Sequence, residues 1–283
     1  MIDPHKKILI VGLGLLGGSY ATALTHKGYE VGAIDIQAPS IDYALKKGMI
    51  AHGTTSVQSD YVGQFDIVIF ALYPHILVEW IKQYQQYIKP HAILTDVTGI
   101  KVWLIDELKR ILRNDIEYIG AHPMAGKEVY GVEHSDEQMF KGANYIITPT
   151  EDSTKEAIEV AESLGQLLEF QHIQFLSPSL HDEMIGFLSQ LTHCIAISLM
   201  TCKESTHLVE YTGDSFRDLT RIAKINESMW SELFLCNKEQ LLAQMDIFLQ
   251  QFHLLKEALA HEDIEKMKAI MRLSTNRRSY FDQ

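Results

Sequence analysis

The stretch KILIVGLGLLGGSYATALTHKGYEVGAID, Lys7 to Asp35, decides the fold. Lys7 to Val11 is an apolar run of strand length, Gly12-Leu13-Gly14-Leu15-Leu16-Gly17 follows, and Ser19 to His26 reads as a helix ended by Gly28. A second β-run, Glu30 to Ile34, ends at Asp35. Strand, glycine turn, helix and strand in that order give the G-x-G-x-x-G spacing a physical meaning. Gly12 allows the tight turn, Gly14 lets the backbone approach a pyrophosphate, and Gly17 lets helix and strand pack closely. The helix start then offers N–H groups and a positive dipole end to the phosphate. Asp35 is placed to accept hydrogen bonds from an adenosine ribose and to repel a 2′-phosphate, which favours NAD over NADP. Gly12, Leu13, Gly14, Leu15, Leu16, Gly17 and Asp35 are the expected cofactor-binding set.

The alternation continues downstream. Asp66 to Ala71 and Ala92 to Thr95 read as buried strands, with amphipathic helices over Leu77 to Ile88 and Lys101 to Leu112. Ile116 to Ile119 and Tyr145 to Thr148 are further strands, and Thr154 to Leu168 a further helix. This order implies an α/β, Rossmann-like, doubly wound and mainly parallel sheet, whose ligands bind at the carboxyl ends of its strands. After about Phe175 the strand patterns stop, and Pro178 to Lys203, Asp214 to Ala223, Glu227 to Leu255 and His261 to Leu273 read as helices. We expect a dinucleotide-binding domain over 1–175 and an all-helical substrate-binding and dimerisation domain over 176–283.

Composition excludes several classes. The chain has 283 residues and a formal net charge of −12, so a phosphodiester backbone would be repelled and nucleic acid is not an expected partner. No apolar run approaches the roughly 20 residues that span a bilayer and no signal-peptide pattern opens the chain, so no membrane association and a cytoplasmic location are expected. Cys194, Cys202 and Cys236 lack metal-ligand spacing, and no metal site is expected.

Two stretches carry candidate chemistry. GAHPMAG, Gly120 to Gly126, presents His122 among small residues at an expected strand end, toward the nicotinamide side of the crevice. Met184 to Met200 is apolar nearly all round, which implies a helix buried on every side, in a large core or between subunits. Within it Gly186, Ser189, Gln190 and His193 share a stripe by helical spacing and must face something polar. For His193 a core histidine bonded to a backbone carbonyl stays open beside a role in the site. Arg217 and Arg221, four apart in FRDLTRIAK, form either a solvated basic face or a guanidinium fork for a carboxylate.

GLGLLGGS, DVTGIK, GAHPMAGKEVYGVE, SPSLHDEMIGFLSQLTH and FRDLTRIAKINESMW, in this order, resemble the prephenate dehydrogenase family, which includes arogenate dehydrogenases. The resemblance covers nearly the whole chain. It implies NAD-dependent oxidative decarboxylation of prephenate to 4-hydroxyphenylpyruvate in tyrosine biosynthesis, or of arogenate to tyrosine, by a homodimer joined through the helical domain. By resemblance His122 takes the proton of the substrate hydroxyl, His193 is the second active-site histidine, and Arg221 binds a substrate carboxylate. Arg217 and Asp218, with Glu128, match an ionic network near the site entrance, and Trp230 matches an aromatic near the pocket.

This chain departs from the family at two points. Relatives often carry a serine where Gly99 stands, leaving Thr98 as a stand-in catalytic hydroxyl. Many read SHLPH where this chain has Ser189-Gln190-Leu191-Thr192-His193, which assigns Ser189 and Gln190 to the substrate and leaves the choice of prephenate or arogenate open. Two other readings remain: a different dehydrogenase of the same architecture, for which a catalytic lysine on the long helix is expected, and a nucleotide sensor that lost its chemistry.

Overall fold

Runs such as Ile8-Leu9-Ile10-Val11 and Ile67-Val68-Ile69-Phe70 are apolar at every position because the sheet they build is covered on both faces. The computed structural model describes every residue but Glu128, Ser205 and Gln283. Its strands are β1 (Ile8–Val11), β2 (Val31–Ile34), β3 (His52–Thr54), β4 (Ile67–Phe70), β5 (Ile93–Asp96), β6 (Glu117–Pro123), β7 (Asn144–Thr148) and β8 (His172–Phe175). They form one sheet in the order β3-β2-β1-β4-β5-β6-β7-β8. All neighbours from β3 to β6 pair in parallel, while β7 runs antiparallel to β6 and parallel to β8. The sheet is thus mainly parallel, as the strand and helix alternation predicts.

The flanking helices are α1 (Leu15–His26), α2 (Ala38–Lys46), α3 (Ser59–Val62), α4 (Pro74–Tyr84), α5 (Val102–Ile111) and α6 (Lys155–Leu167). Side chains of a strand alternate between faces, so Ile8 and Ile10 join a core with Tyr20 and Leu24 of α1, Ile41 of α2 and Leu164 of α6. Leu9 and Val11 join the opposite core with Val62 of α3, Leu77 of α4 and Leu104 of α5. The strand order turns back between β1 and β4, the position at which such sheets open a crevice for ligands. β3, α2, α3 and β8 had no counterpart in the sequence pattern. They are short, and β3 and β8 are edge strands that are only partly covered, so neither shows a buried apolar run.

Every described element after β8 is helical: α7 (Pro178–Ile185), a π-helical turn (Gly186–Leu191), α8 (Thr192–Thr201), α9 (Leu208–Tyr211) and α10 (Asp214–Thr220) come first. A 3-10 turn (Arg221–Ala223), α11 (Glu227–Cys236), α12 (Lys238–Ala260), α13 (Ile264–Arg278) and a last 3-10 turn (Ser279–Phe281) complete the segment. These helices interlock with the sheet region. Asp182 of α7 accepts bonds from the backbone N–H of Lys101 and Val102 at the start of α5, both 2.8 Å. Glu232 of α11 accepts from the N–H of His75 at 2.7 Å.

Three expectations need correction here. The helix read as continuous from Glu227 to Leu255 breaks at Asn237, whose buried side chain donates to the Asp182 carbonyl at 2.9 Å and to Gln190 Oε1 at 2.8 Å. The run 178–201 is long and apolar enough, by length and composition, to cross a bilayer, with an 18-residue window of mean hydropathy 1.4. Glu183 and neighbouring polar residues interrupt the run, so no unbroken apolar stretch marks it in the sequence. The same run is not enclosed within one chain, because Phe187, Leu188 and Met200 remain exposed.

Candidate active site

The glycine loop leaves β1 and opens α1. Gly12 has φ +97°, a left-handed conformation that glycine adopts without strain. A methyl group on Gly17 would lie 1.9 Å from the Gly12 carbonyl oxygen, so only glycine lets α1 approach the turn. A methyl group on Gly14 would meet no protein atom within 4 Å. Gly14 is also the N-cap of α1, and no described side chain caps that end. An uncapped helix start beside an open space fits a pyrophosphate, which needs N–H donors and close backbone approach. Asp35, just past β2, accepts from Leu13 N–H at 2.6 Å through Oδ2 and from Gln37 N–H at 2.7 Å through Oδ1. Its carboxylate therefore holds the loop, and each oxygen keeps a lone pair for a ribose hydroxyl.

β6 runs parallel to β5 and carries His122 near its carboxyl end, at the same edge of the sheet as Gly12, Asp35 and Asp96. The imidazole is half-buried, and its Nδ1 lies 2.9 Å from Nε2 of His181, in α7. His181 is fully buried, and its Nδ1 donates to Asp182 Oδ1 at 2.7 Å. Burial holds the His122 pKa well below the ordinary imidazole value, and the neighbouring His181 and Lys101 lower it further. Burial also lowers that of His181, against the opposing pull of Asp182. A methyl group on Gly99 would sit 3.6 Å from Cε1 and Nε2 of His122. The position where relatives carry a serine thus faces the nitrogen that His181 does not bond.

Beneath His122 lies a buried ion pair. Lys101 Nζ donates to Asp96 Oδ2 and to the Thr98 carbonyl, each at 2.7 Å, and both charged side chains are 0% exposed. Asp96 Oδ1 accepts from Tyr118 Oη at 2.7 Å and from Ala121 N–H at 3.2 Å. Burial lowers the Lys101 pKa against the pull of Asp96, and raises that of Tyr118 well above its usual value with Asp96 adding to the shift. Thr98, expected as a catalytic hydroxyl, is committed elsewhere. Its Oγ1 donates to Asp96 Oδ2, lies 3.0 Å from the Ile100 carbonyl, and accepts from Lys101 Nζ at 3.1 Å. Thr98 shapes the turn under His122 and does not replace the missing serine.

A second cluster forms on the helices. His193 stacks on Trp230 of α11, with ring centroids 3.7 Å apart, and its Nδ1 donates to the Ser189 carbonyl at 2.9 Å. The carbonyl bond expected of a core histidine is therefore present, and the stacking on Trp230 is added by the structure. The 3-10 turn holding Arg221 and the end of α10 holding Arg217 pack against α8, which carries His193. Arg217 is exposed and lies 3.8 Å from Asp214, not from Asp218. Glu128, expected in the same ionic network, lies outside the described residues. Gln190 does not belong to this cluster. The π-helical turn adds a residue to the repeat and swings Gln190 inward, where Nε2 donates to the Leu233 carbonyl at 3.1 Å and Oε1 accepts from Asn237. Its amide is spent on joining α11 and α12 to the π-helical turn, so it is not in position to read a substrate side chain.

Sequence reasoning missed His181, Asp182, Lys101 and Tyr118 as parts of the site. The adjacent His-Asp pair just after the Ser177 cap of α7 was the one available signal.

Two family models match, "Prephenate dehydrogenase, nucleotide-binding domain" over residues 20–171 and "Prephenate dehydrogenase, dimerization domain" over 177–273. The chain is 31% identical to a prephenate dehydrogenase of Bacillus subtilis over 272 residues, covering 92% of this chain and 72% of the relative. It is 28% identical to a cyclohexadienyl dehydrogenase of Zymomonas mobilis, covering 91% of this chain and 90% of the relative. Among solved structures, the prephenate dehydrogenase of A. aeolicus in complex with hydroxyphenyl propionate and NAD+ superimposes with a TM-score of 0.90. That match has 30% identity and covers 99% of this chain and 100% of the other.

Proposed function

Because the chain belongs to the prephenate dehydrogenase family, we propose that it is the enzyme that oxidatively decarboxylates prephenate to 4-hydroxyphenylpyruvate with NAD, in tyrosine biosynthesis. The observation that carries this reading is His122, whose Nε2 faces the space beside Gly99 at the edge of the sheet where the glycine loop also opens. Bound at that loop, NAD supplies the hydride acceptor.

The chain's own residues do the rest. The uncapped start of α1 and the gap at Gly14 take the pyrophosphate, and Asp35 takes the ribose. His122 accepts the proton of the substrate's ring hydroxyl at Nε2 as the carbon beside it loses hydride. Its lowered pKa keeps this nitrogen unprotonated at neutral pH, as a base requires. The carbonyl formed withdraws electrons through the ring, and rearomatisation drives loss of the ring carboxylate, so no covalent nucleophile is needed. His193 and Trp230 supply a stacked pair of rings, and Arg221 and Arg217 supply positive charge for a substrate carboxylate in an otherwise acidic protein. We take 1–175 as the dinucleotide-binding domain and 176–283 as the helical substrate-binding domain through which two chains dimerise. A cytoplasmic location belongs to the same proposal, since the step draws on the nicotinamide pool and on biosynthetic intermediates.

Arogenate is the second reading, left open because Gln190 is bonded away from the pocket and one candidate selector for the substrate side chain is thereby removed. NADH formation with prephenate and arogenate offered in parallel decides between them. We expect His122→Asn to bind NAD as the parent protein does and to lose turnover by about two orders of magnitude or more. Near-normal turnover in that variant removes His122 as the base.

A further inference from the structure

We propose that His181 and Asp182 are positioning residues that set the tautomer of His122, holding its proton on Nδ1 and leaving the Nε2 lone pair toward the substrate. The inference rests on the reading of His122 as the base, and the hydrogen-bond donors and acceptors of the relay give its direction.

The direction starts from groups whose roles are fixed by chemistry. Backbone N–H groups only donate, and an ionised carboxylate only accepts. Asp182 is 2% exposed and receives the N–H of Lys101 at Oδ1 and of Val102 at Oδ2, at the positive end of α5. Each carboxylate oxygen already accepts a backbone N–H, so the carboxylate is the acceptor at the end of the relay. His181 Nδ1, 2.7 Å from Oδ1, must then carry a proton. A neutral His181 has one N–H, so its Nε2 is an acceptor, and the contact to His122 Nδ1 at 2.9 Å requires the proton on His122. Neutral His122 is left with an unprotonated Nε2. Among the described residues none bonds that nitrogen, and the side facing it is Gly99, where no Cβ fills the space.

The relay also keeps its bonds when charge appears in the reaction. When Nε2 takes the hydroxyl proton, His122 becomes a cation held through His181 to the Asp182 carboxylate, as a base oriented by a third group requires. Lys101, paired with Asp96 in the adjoining buried cluster, opposes that charge and helps to keep the resting imidazole neutral. The Ser177 cap and Pro178 start α7 so that His181 and Asp182 fall where its first turn passes into the second, against the start of α5. The chain thus has a physical reason for the adjacent His-Asp that the glycine fingerprint and the HPMAG motif do not use.

The test reads the tautomer and the rate separately, on the full chain. Long-range proton–nitrogen NMR with labelled histidine, assigned by loss of signals in His122→Asn, should find the His122 proton on Nδ1 in the resting protein. His181→Leu should shift His122 toward the Nε2-protonated form and lower kcat on the order of 100-fold, with KM and NAD affinity within about threefold of the parent. His181→Gln, whose amide oxygen can accept from His122 Nδ1, should recover a substantial part of kcat. A proton found on Nε2 of the parent protein overturns the proposal, as does a His181→Leu variant with the parent kcat. If that variant fails to fold, the tautomer of the parent still decides. Because the tautomer is read without substrate, failure to turn over either prephenate or arogenate would end the functional reading and leave this test intact.

Discussion

At the residue scale, burial sets how His122 and His181 respond to acid. Both are neutral in the folded protein with pKa values below the ordinary imidazole value of about 6.5, while an unfolded chain titrates near that value. Above about pH 6.5 neither state holds the extra protons, and the pair adds no pH dependence. Below it the unfolded chain binds protons that the folded pair refuses, so stability is lost as the pH falls toward the folded pKa values. The charged and polar groups packed around the pair are Asp182, Lys101, Asp96 and Tyr118, and all of them remain in a His122→Asn variant. Urea midpoints measured from about pH 7.5 to about pH 5.5 should therefore fall less steeply for His122→Asn than for the parent. Parallel curves would show that His122 is protonated as easily when folded as when unfolded. HPMAG pointed to His122 in sequence, but its partner lies 59 residues away, and only the packing of α7 on the sheet reveals the relay.

At the element scale, the turn from β1 into α1 separates folding from binding. A methyl group at Gly17 collides with the Gly12 carbonyl, so Gly17→Ala should lower stability by about 2 kcal/mol or more, measured by urea denaturation. Gly14 has an extended backbone that alanine adopts, and its methyl group would enter open space. Gly14→Ala should keep stability within about 0.5 kcal/mol while weakening NAD binding by roughly an order of magnitude, measured by calorimetry. Equal NAD affinity in that variant would show that the gap at Gly14 is not where the pyrophosphate lies. This element was legible because strand, glycines and helix are contiguous. The π-helical turn was not, since the 3.6-residue period that placed Gln190 beside His193 assumes a regular helix. Asn237 and Gln190 form their bond across 47 residues, and no local pattern announces it.

At the scale of the whole molecule, the helical segment leaves apolar side chains uncovered. Leu249, Phe252 and Leu259 of α12 are 60%, 60% and 66% exposed, and Phe187 and Leu188 add to the apolar surface of the run 178–201. Exposed apolar side chains of this kind are candidates for an interface. The dimer proposed above would cover them, and on that reading light scattering should give twice the 32.2 kDa of the chain. Phe252→Asp, which places a charge among these side chains, should shift the mass toward a single chain. A parent mass of 32.2 kDa would remove the dimer. The run 178–201 has the length and hydropathy of a membrane span, yet it also carries His181, Asp182, Gln190 and His193, three of them buried against neighbouring elements.

The sequence by itself determined the class of fold, the glycine loop and the change to helices after Phe175, and singled out Asp35 and His122, because each is written in contiguous residues whose spacing matches a period or a turn. It also carried the family, through motifs whose order runs along nearly the whole chain. Only the tertiary structure decided what surrounds those residues. Thr98 turned out to serve the Asp96 and Lys101 pair, Gln190 to join helices, and His181 and Asp182 to stand behind His122. The physical reason is the same in each case: a polar side chain takes its role from the donors and acceptors that burial brings to it, and those come from distant parts of the chain.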